Sequence, residues 1–404
     1  MRGVRLAALP PLSLYVHIPW CVRKCPYCDF NSHEIPGEAT RRGTGAAAQN
    51  TPPEARGDIP EDIYVEALTR DLERALPLIW GRRVNAVFFG GGTPSLLSDA
   101  AVDRLLTTFR ALLPLEPGAE VTLEANPGTF EAAKFKGFRA AGVNRLSIGI
   151  QSFSDCHLAA LGRIHSADEA RRAIDIAYRY FDNFNIDLMY ALPAQTVAQA
   201  RQDIEAAIAA TPAHISAYHL TLEPNTLFHR YPPPLPGDDV AADMQAMIEE
   251  TLAEAGYLHY ETSAFAKAGH EARHNQNYWR FGDYLGIGAG AHSKISSPER
   301  IVRQMRHKQP RAYMERVASG THIQEERDVC VDDLPFEFMM NALRLTEGFP
   351  TRLYEERTGL ALSGIEEVLS MAESRGLVER DHLIIRPTLR GQRFLNDLLQ
   401  MFLT

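Results

Sequence analysis

The sequence predicts an α/β protein: an open, incomplete (β/α)6 barrel followed by a C-terminal α+β module of winged-helix type. Three observations carry that prediction. Six stretches rich in β-branched and aromatic residues recur along the first half, helical patterns with three-to-four apolar spacing lie between them, and beyond about Asp332 helices are followed by a short hairpin. Alternating strands and helices imply parallel pairing through right-handed crossovers. Such a succession of units suits an incomplete barrel better than a doubly wound sheet.

In order, the strands read as "LSLYVHIP", "VNAVFFGGG", "EVTLEANP", "NRLSIGIQSF", "FNIDLMYALP" and "HISAYHLTLEP", each largely buried. The helices between them include "EDIYVEALTRDLERALPLI", "AVDRLLTTFRALL", "SADEARRAIDIAYRYF" and "VAQARQDIEAAIAA". One segment interrupts the first crossover: from Pro36 to Asp58 there is no Val, Ile, Leu, Met, Phe, Trp, Tyr or Cys. Burial there cannot offset the entropy of ordering, so residues 36–58 read as a flexible insertion. "YPPPLPGDD" is a stiff proline-rich turn, and "DVAADMQAMIEETLAEAG" after it is a helix. The C-terminal pattern runs "DLPFEFMMNALRL", "PTRLYEERTG", "LSGIEEVLSMAESRG", "LVERDHLIIRP" and a last helix. The expected division is an extension over 1–11, the barrel over 12–235, a barrel-completing and connecting region over 236–330, and the winged-helix-like domain over 331–404. No internal repeat is visible beyond the alternation itself.

Composition narrows the function. The chain has 404 residues, 45% of them hydrophobic, 23% charged, and a formal net charge of -9. It reads as globular, and the acidic balance argues against broad nucleic-acid binding while leaving a local basic site open. The C-terminal module tempts a DNA-binding reading, but residues 330–404 hold eight Lys/Arg against twelve Asp/Glu, which favours a structural or lid role. The opening "MRGVRLAALPPLSLYV" is broken by Pro10 and Pro11, so no secretory signal is expected. No apolar run approaches the ~20 residues of a membrane helix, and the expected location is the cytoplasm.

Five cysteines, an odd number, make a poor disulfide framework. Cys156 and Cys330 stand alone and read as small hydrophobes. Cys21, Cys25 and Cys28 are bunched in "HIPWCVRKCPYCDF", just after the first strand, which places them at the C-terminal mouth of a parallel barrel. Bunched thiols in a reducing compartment point to a metal. A structural zinc would need a fourth ligand such as His17 or His33, and this spacing is awkward for it. An iron–sulfur cube held by three thiolates instead keeps one iron free for a substrate or cofactor. At the other strand ends lie Gly90, Gly91, Gly92 and Thr93 of "FFGGGTPS", where backbone can approach a polar ligand, and Glu124, Gln151, Asp187 and Glu223. Singly each is a cap or turn residue; together they converge on one mouth.

The Cys-x3-Cys-x2-Cys spacing, with Tyr27 beside the last cysteine and a glycine-rich strand end, resembles the radical S-adenosylmethionine (radical SAM) superfamily and its partial (β/α)6 TIM-like barrel. "LYVHIPWCVRKCPYCDFNSH", "FFGGGTPSLL", "LSIGIQSF", "LGRIHS", "NIDLMYALPAQT" and "HNQNYW" are similar to the oxygen-independent coproporphyrinogen III oxidase-like family, in its haem-chaperone branch. The likeness runs from about residue 12 to the C-terminus, with the insertion at 36–58 foreign to it. The resemblance implies a 4Fe-4S cluster on Cys21, Cys25 and Cys28, and S-adenosyl-L-methionine chelating the open iron. It further implies cofactor contacts from Tyr15, Gly91, Gly92, Thr93, Glu124, Gln151, Arg163 and Asp187. Those residue types suit such a ligand, because carboxylates accept from an ammonium or ribose hydroxyl and Arg163 pairs with a carboxylate.

The resemblance leaves two functions in competition. One is a radical oxidative decarboxylation of coproporphyrinogen III; the other is binding of haem and its delivery to haem-accepting proteins. Coproporphyrinogen dehydrogenases resemble Cys-x3-Cys-x2-Cys-x-Cys, whereas Phe30 stands two after Cys28 here, and the chain begins only about a dozen residues before its first strand, where the oxidases carry a longer segment. His274, Asn275, Tyr278 and Trp279 match the His-Asn-x-x-Tyr-Trp word of the chaperone branch. Imidazole is a common haem ligand, and aromatic rings offer a porphyrin flat apolar surface. His274, Tyr278 and Trp279 are therefore the expected haem contacts, with core packing as the plain alternative and His270 and His292 as other candidate ligands. The carrier reading is preferred; respiratory membrane enzymes are the expected recipients, and a homodimer is within the family's range.

Overall fold

The computed structural model describes residues 4–35, 59–129 and 132–403. The expected flexible insertion at 36–58 lies outside the described residues. Six strands form where the sequence places them: β1 Leu12–Ile18, β2 Val84–Gly91, β3 Leu115–Ala125, β4 Arg145–Gln151, β5 Phe184–Tyr190 and β6 His214–His219. Each pairs in parallel with the next in this order. The crossovers carry helices over Glu61–Ala75, Asp99–Leu112, Ala132–Ala141, Ala167–Tyr180 and Val197–Ala209. Two of these start at capping boxes, Ser166 with Glu169 and Thr196 with Gln199, which fix where each crossover turns into helix.

The strands alternate in a way that decides what the barrel holds. Leu12, Leu14, Val16 and Ile18 of β1 point out into the main core, as do Leu146, Ile148 and Ile150 of β4 and Phe184, Ile186 and Leu188 of β5. The intervening residues face inward, and most are polar: Ser13, Tyr15 and His17; Arg145, Ser147 and Gln151; Asn185 and Asp187. The barrel is thus apolar on its helix-covered face and polar inside.

The segment after Pro236 extends both edges of the sheet. Following the helix Asp238–Glu254, β7 Leu258–Glu261 and β8 Ala264–Ala266 add antiparallel strands beyond β6. β9 Asp283–Ile287 then pairs in parallel with β1, and β10 His292–Ser296, β11 Ile301–Arg306 and β12 Ile323–Asp328 follow it antiparallel. The result is one sheet of twelve strands, open between β12 and β7 among the described residues.

C-terminal to Leu334 come helices and a three-stranded antiparallel sheet of β13 Phe349–Pro350, β14 Val378–Arg380 and β15 Ile384–Pro387. Its core, around Phe338, Phe349, Tyr354 and Leu369, also takes in Val4 and Leu6 from the chain start, with Leu6 N–H donating to Pro298 O at 3.0 Å. The N-terminal residues are therefore a strap tying the C-terminal module to the barrel's flank, more than a simple extension. Cys156 and Cys330 are both exposed, which overturns their reading as small core hydrophobes. Among the described residues no helix is long and apolar enough to cross a membrane.

Candidate functional site

The inner faces of the strands and the loop after β1 enclose a cavity of about 430 Å³ with two chemically different ends. At the mouth, Cys21, Cys25 and Cys28 are free thiols, partly buried, and all line it. Their loop is tied down by a two-stranded parallel ribbon, Trp20–Cys21 against His33–Glu34, and by Ile35 N–H donating to Cys21 O at 2.9 Å. His17 binds the same loop from beneath: its Nε2–H donates to Asn31 O at 2.9 Å while Nδ1 accepts from the Tyr15 hydroxyl at 2.8 Å. Burial holds the His17 imidazole down at about 4, so it stays neutral and keeps those roles.

Donors are aimed at the sulfurs. Thr93 Oγ1 lies 3.5 Å from Cys21 Sγ, and Arg163 Nη1 lies 3.6 Å from Cys25 Sγ. Asn126 joins the two, donating from Nδ2 to Thr93 Oγ1 at 2.9 Å and accepting from Arg163 Nη2 at 2.6 Å, while Arg163 also donates to Gly149 O at 2.8 Å. Among the described residues Arg163 Nε is buried with no acceptor. Burial pushes the Cys21 and Cys28 thiols up, which favours the neutral thiols, and a bound metal's charge would favour the thiolates. Among the described residues no three His, Cys, Asp or Glu side chains gather around a single-ion point. A cubane, whose thiolates bind separate irons, fits three sulfurs spread around one cavity wall.

The glycine run does something more specific than admit a ligand. Gly91 has φ +110°, and a Cβ there would stand 2.5 Å from His17 Cε1; one on Gly92 would stand 2.5 Å from Trp20 O. Gly92 N–H donates to Ile18 O and Thr93 N–H to Trp20 O, each at 2.7 Å. Those amides bind the end of β1 to the end of β2 and hold the cysteine loop over the cavity. Gly91 N–H donates to Glu124 Oε2 at 3.2 Å.

Glu124 is partly buried near Asp187, and desolvation first, then that neighbouring charge, pushes its carboxyl up to about 8. Asp187 is also raised by burial, against hydrogen bonds from Ser147 Oγ at 2.9 Å and Asn185 Nδ2 at 2.7 Å. Asp187 is thus held by two side-chain donors, whereas Glu124 accepts from a backbone amide, Gly91 N–H. Gln151 has φ 68°, rare for a side-chain-bearing residue, at a register shift between Gly149 and Gln151 in the β4–β5 pairing. The irregularity brings Gln151 to the cavity wall. Of the expected cofactor residues, Gly91, Gly92, Thr93, Glu124, Gln151, Arg163 and Asp187 all line the cavity; Tyr15 stands outside its lining, stacked on Phe88. Phe30 lines the mouth and is 60% exposed.

At the floor, His274, second residue of a short helix, Arg273–Trp279, stacks on Phe88 with ring centroids 4.2 Å apart. Its Nδ1–H donates to Glu120 Oε1 at 2.8 Å, and Glu120 also accepts the Arg273 and His274 backbone amides. Burial opposes ionisation of Glu120, but the hydrogen bonds from His274 and the Arg273 amide, with the Arg145 charge, outweigh it and keep the carboxyl ionised. Burial lowers His274. The pair is therefore a carboxylate and a neutral imidazole whose Nε2 has no hydrogen-bond partner among the described residues, the arrangement by which a carboxylate orients a metal-binding histidine. His214 differs: Nδ1 meets Asn185 Oδ1 at 2.7 Å and Nε2 meets the Tyr260 hydroxyl at 2.8 Å.

Tyr278 and Trp279 are not brought to the cavity with His274. Tyr278 packs edge-on against Tyr284, and the Arg344 guanidinium covers the Trp279 ring at 4.4 Å. Neither His270 nor His292 lines the cavity, and His292 is exposed. Sequence reasoning missed Asn126 and Arg145. Both had a signal: Asn126 is two residues past Glu124, and Arg145 lies an even number of residues before Gln151, each on the inward face.

The chain matches the Radical SAM superfamily over residues 15–207 and the HemN C-terminal domain over residues 331–394. It is 46% identical over 400 residues to Heme chaperone HemW of Escherichia coli strain K12, covering 98% of this chain and 100% of that one. It is 31% identical to Heme chaperone HemW of Bacillus subtilis strain 168, covering 97% and 99%. Among solved structures, coproporphyrinogen III oxidase (HemN) from Escherichia coli, a radical SAM enzyme, superposes with a TM-score of 0.79 at 24% identity over 98% of this chain and 91% of that one. That last likeness is one of fold. By near-full-length identity, the chain belongs to the HemW heme chaperone family within the radical SAM superfamily.

Proposed function

We propose that this protein is a haem chaperone: it carries a 4Fe-4S cluster and S-adenosylmethionine at the barrel mouth, takes up haem, and hands it to haem-accepting proteins. The observation that carries the reading is the shared cavity, with three free thiols at one end and the uncommitted Nε2 of His274 at the other. When bound, the cluster supplies an iron without a protein ligand, to which S-adenosylmethionine attaches. Cys21, Cys25 and Cys28 hold it; Thr93 and Arg163 donate to sulfur, and Glu124 and Asp187 accept from the nucleoside's polar groups. Glu120 keeps the His274 imidazole in the tautomer that offers Nε2 to haem iron. Tyr278 and Trp279 serve this site by packing the helix that carries His274.

Phe30, where the dehydrogenases carry a further cysteine, places an apolar ring at the mouth and supports the carrier reading over decarboxylation. The reading places the protein in the cytoplasm, where thiols stay reduced, with respiratory membrane enzymes as recipients and a homodimer as the assembled form. The test has two arms. Anaerobically reconstituted protein, given S-adenosylmethionine, reductant and coproporphyrinogen III, yields no protoporphyrinogen; its formation contradicts the proposal. Titration with haem gives a shifted Soret band that weakens in His274→Ala; an unchanged band and affinity remove His274 from the site.

A further inference from the structure

Arg145, the first residue of β4, is only 2% exposed yet lines the cavity floor. Other buried cations of this fold are paired: Arg306 holds Asp71 at 3.2 Å and Lys294 holds Asp283 at 2.9 Å. Among the described residues Arg145 has no such ion pair and no side-chain hydrogen bond, and its Nε is sealed from solvent without an acceptor. The acids in its field are committed elsewhere, Glu120 to His274 and two backbone amides, Asp187 to Ser147 and Asn185. A buried unpaired guanidinium is costly, and a fold that only needed to fill this space would gain by an apolar side chain. Its retention toward a cavity is the mark of a ligand group that completes it.

The guanidinium fork matches a carboxylate in two parallel hydrogen bonds. On the haem-carrier reading two carboxylate sources would share this cavity, S-adenosylmethionine and the porphyrin, and position separates them. Arg163, in contact with Cys25 Sγ and Gly149 O, marks the level of the cysteines. Arg145 lies four residues below Gly149 on the same inner face, about 13 Å along the strand. The amino-acid end of S-adenosylmethionine, if held at the cysteine level, would therefore be far from it. We propose that Arg145 anchors a carboxylate of the molecule that occupies the inner half of the barrel, which, resting on the haem-carrier reading, is one propionate of the porphyrin with His274 on the same floor.

The test titrates cluster-loaded protein with haem and with haem dimethyl ester, whose propionates are masked, in the presence and absence of S-adenosylmethionine. Wild type binds haem about tenfold to hundredfold more tightly than the diester. Arg145→Met binds both with the weaker affinity, keeps its S-adenosylmethionine affinity, and melts no lower than wild type when haem is absent, because a desolvated charge has been removed. Should the Met variant not fold, Arg145→Lys serves, with a preference for haem reduced because the fork is lost. Full preference for haem over the diester in either folded variant overturns the proposal, as does a loss confined to S-adenosylmethionine binding. If wild type gives no Soret change with haem at all, the carrier reading fails and the anchor falls with it, whereas failure of the anchor alone leaves wild-type haem binding intact.

Discussion

Glu124→Gln tests the electrostatics of the cavity in its cofactor-free form. Burial and Asp187 raise the Glu124 carboxyl to about 8, against an ordinary value of 4.5. The folded protein therefore holds a proton there that the unfolded chain has lost across that window. This stabilisation is complete below about pH 4.5 and is lost as pH rises to about 8. With 1.36 kcal/mol per unit, the full effect is about 5 kcal/mol as an upper bound, of which about 2.5 kcal/mol is lost between pH 5 and pH 7. Gln is isosteric with the protonated acid and can still accept from Gly91 N–H, so the variant has no proton to lose. Anaerobic denaturant melts of both proteins from pH 5 to pH 9 read the effect directly. The stability of the variant pulls ahead of wild type by about 2.5 kcal/mol from pH 5 to pH 7 and stops gaining above about pH 8. Parallel curves refute the reasoning, because they mean that Glu124 is ionised in the folded protein throughout.

Arg163→Met removes the donor 3.6 Å from Cys25 Sγ together with the bridge to Asn126, so the cluster's reduction potential moves more negative in a potentiometric titration followed by electron paramagnetic resonance. Glu120→Gln leaves His274 its shape but weakens the orienting carboxylate, and haem affinity by absorbance titration falls about tenfold to hundredfold. Leu6→Ala opens a gap in the C-terminal core and costs about 2–3 kcal/mol in denaturant melts, which a dispensable extension would not.

The barrel was legible because its strands and helices differ in period, and helix starts such as Ser166 and Thr196 carry explicit caps. The cysteine loop was legible from spacing alone. What β9 does was not: Asp283–Ile287 is short and lies far from β1 in sequence, so nothing local shows that it pairs there in parallel. The strap role of Val4 and Leu6 was hidden for the same reason, since two apolar residues in a polar start have no periodicity to read. The floor of the cavity was available but unread. Taking the strands as largely buried passed over the alternation in "NRLSIGIQ", which places Arg145, Ser147, Gly149 and Gln151 on one face and Leu146, Ile148 and Ile150 on the other. Tyr278 and Trp279 show the converse limit. A motif carries them beside His274 in sequence, and Tyr278, one helical turn on, meets the His274 ring edge-on at 6.3 Å, yet of the motif only His274 and Asn275 line the cavity.

The central claim is an iron–sulfur cluster on Cys21, Cys25 and Cys28 with an iron open to S-adenosylmethionine. Metal and acid-labile sulfide analysis of oxygen-protected protein, with electron paramagnetic resonance of the reduced form before and after adding S-adenosylmethionine, tests it most directly. The account predicts about four irons and four sulfides per chain and a spectrum that changes on addition. Zinc in place of iron, or protein without inorganic sulfide, contradicts it.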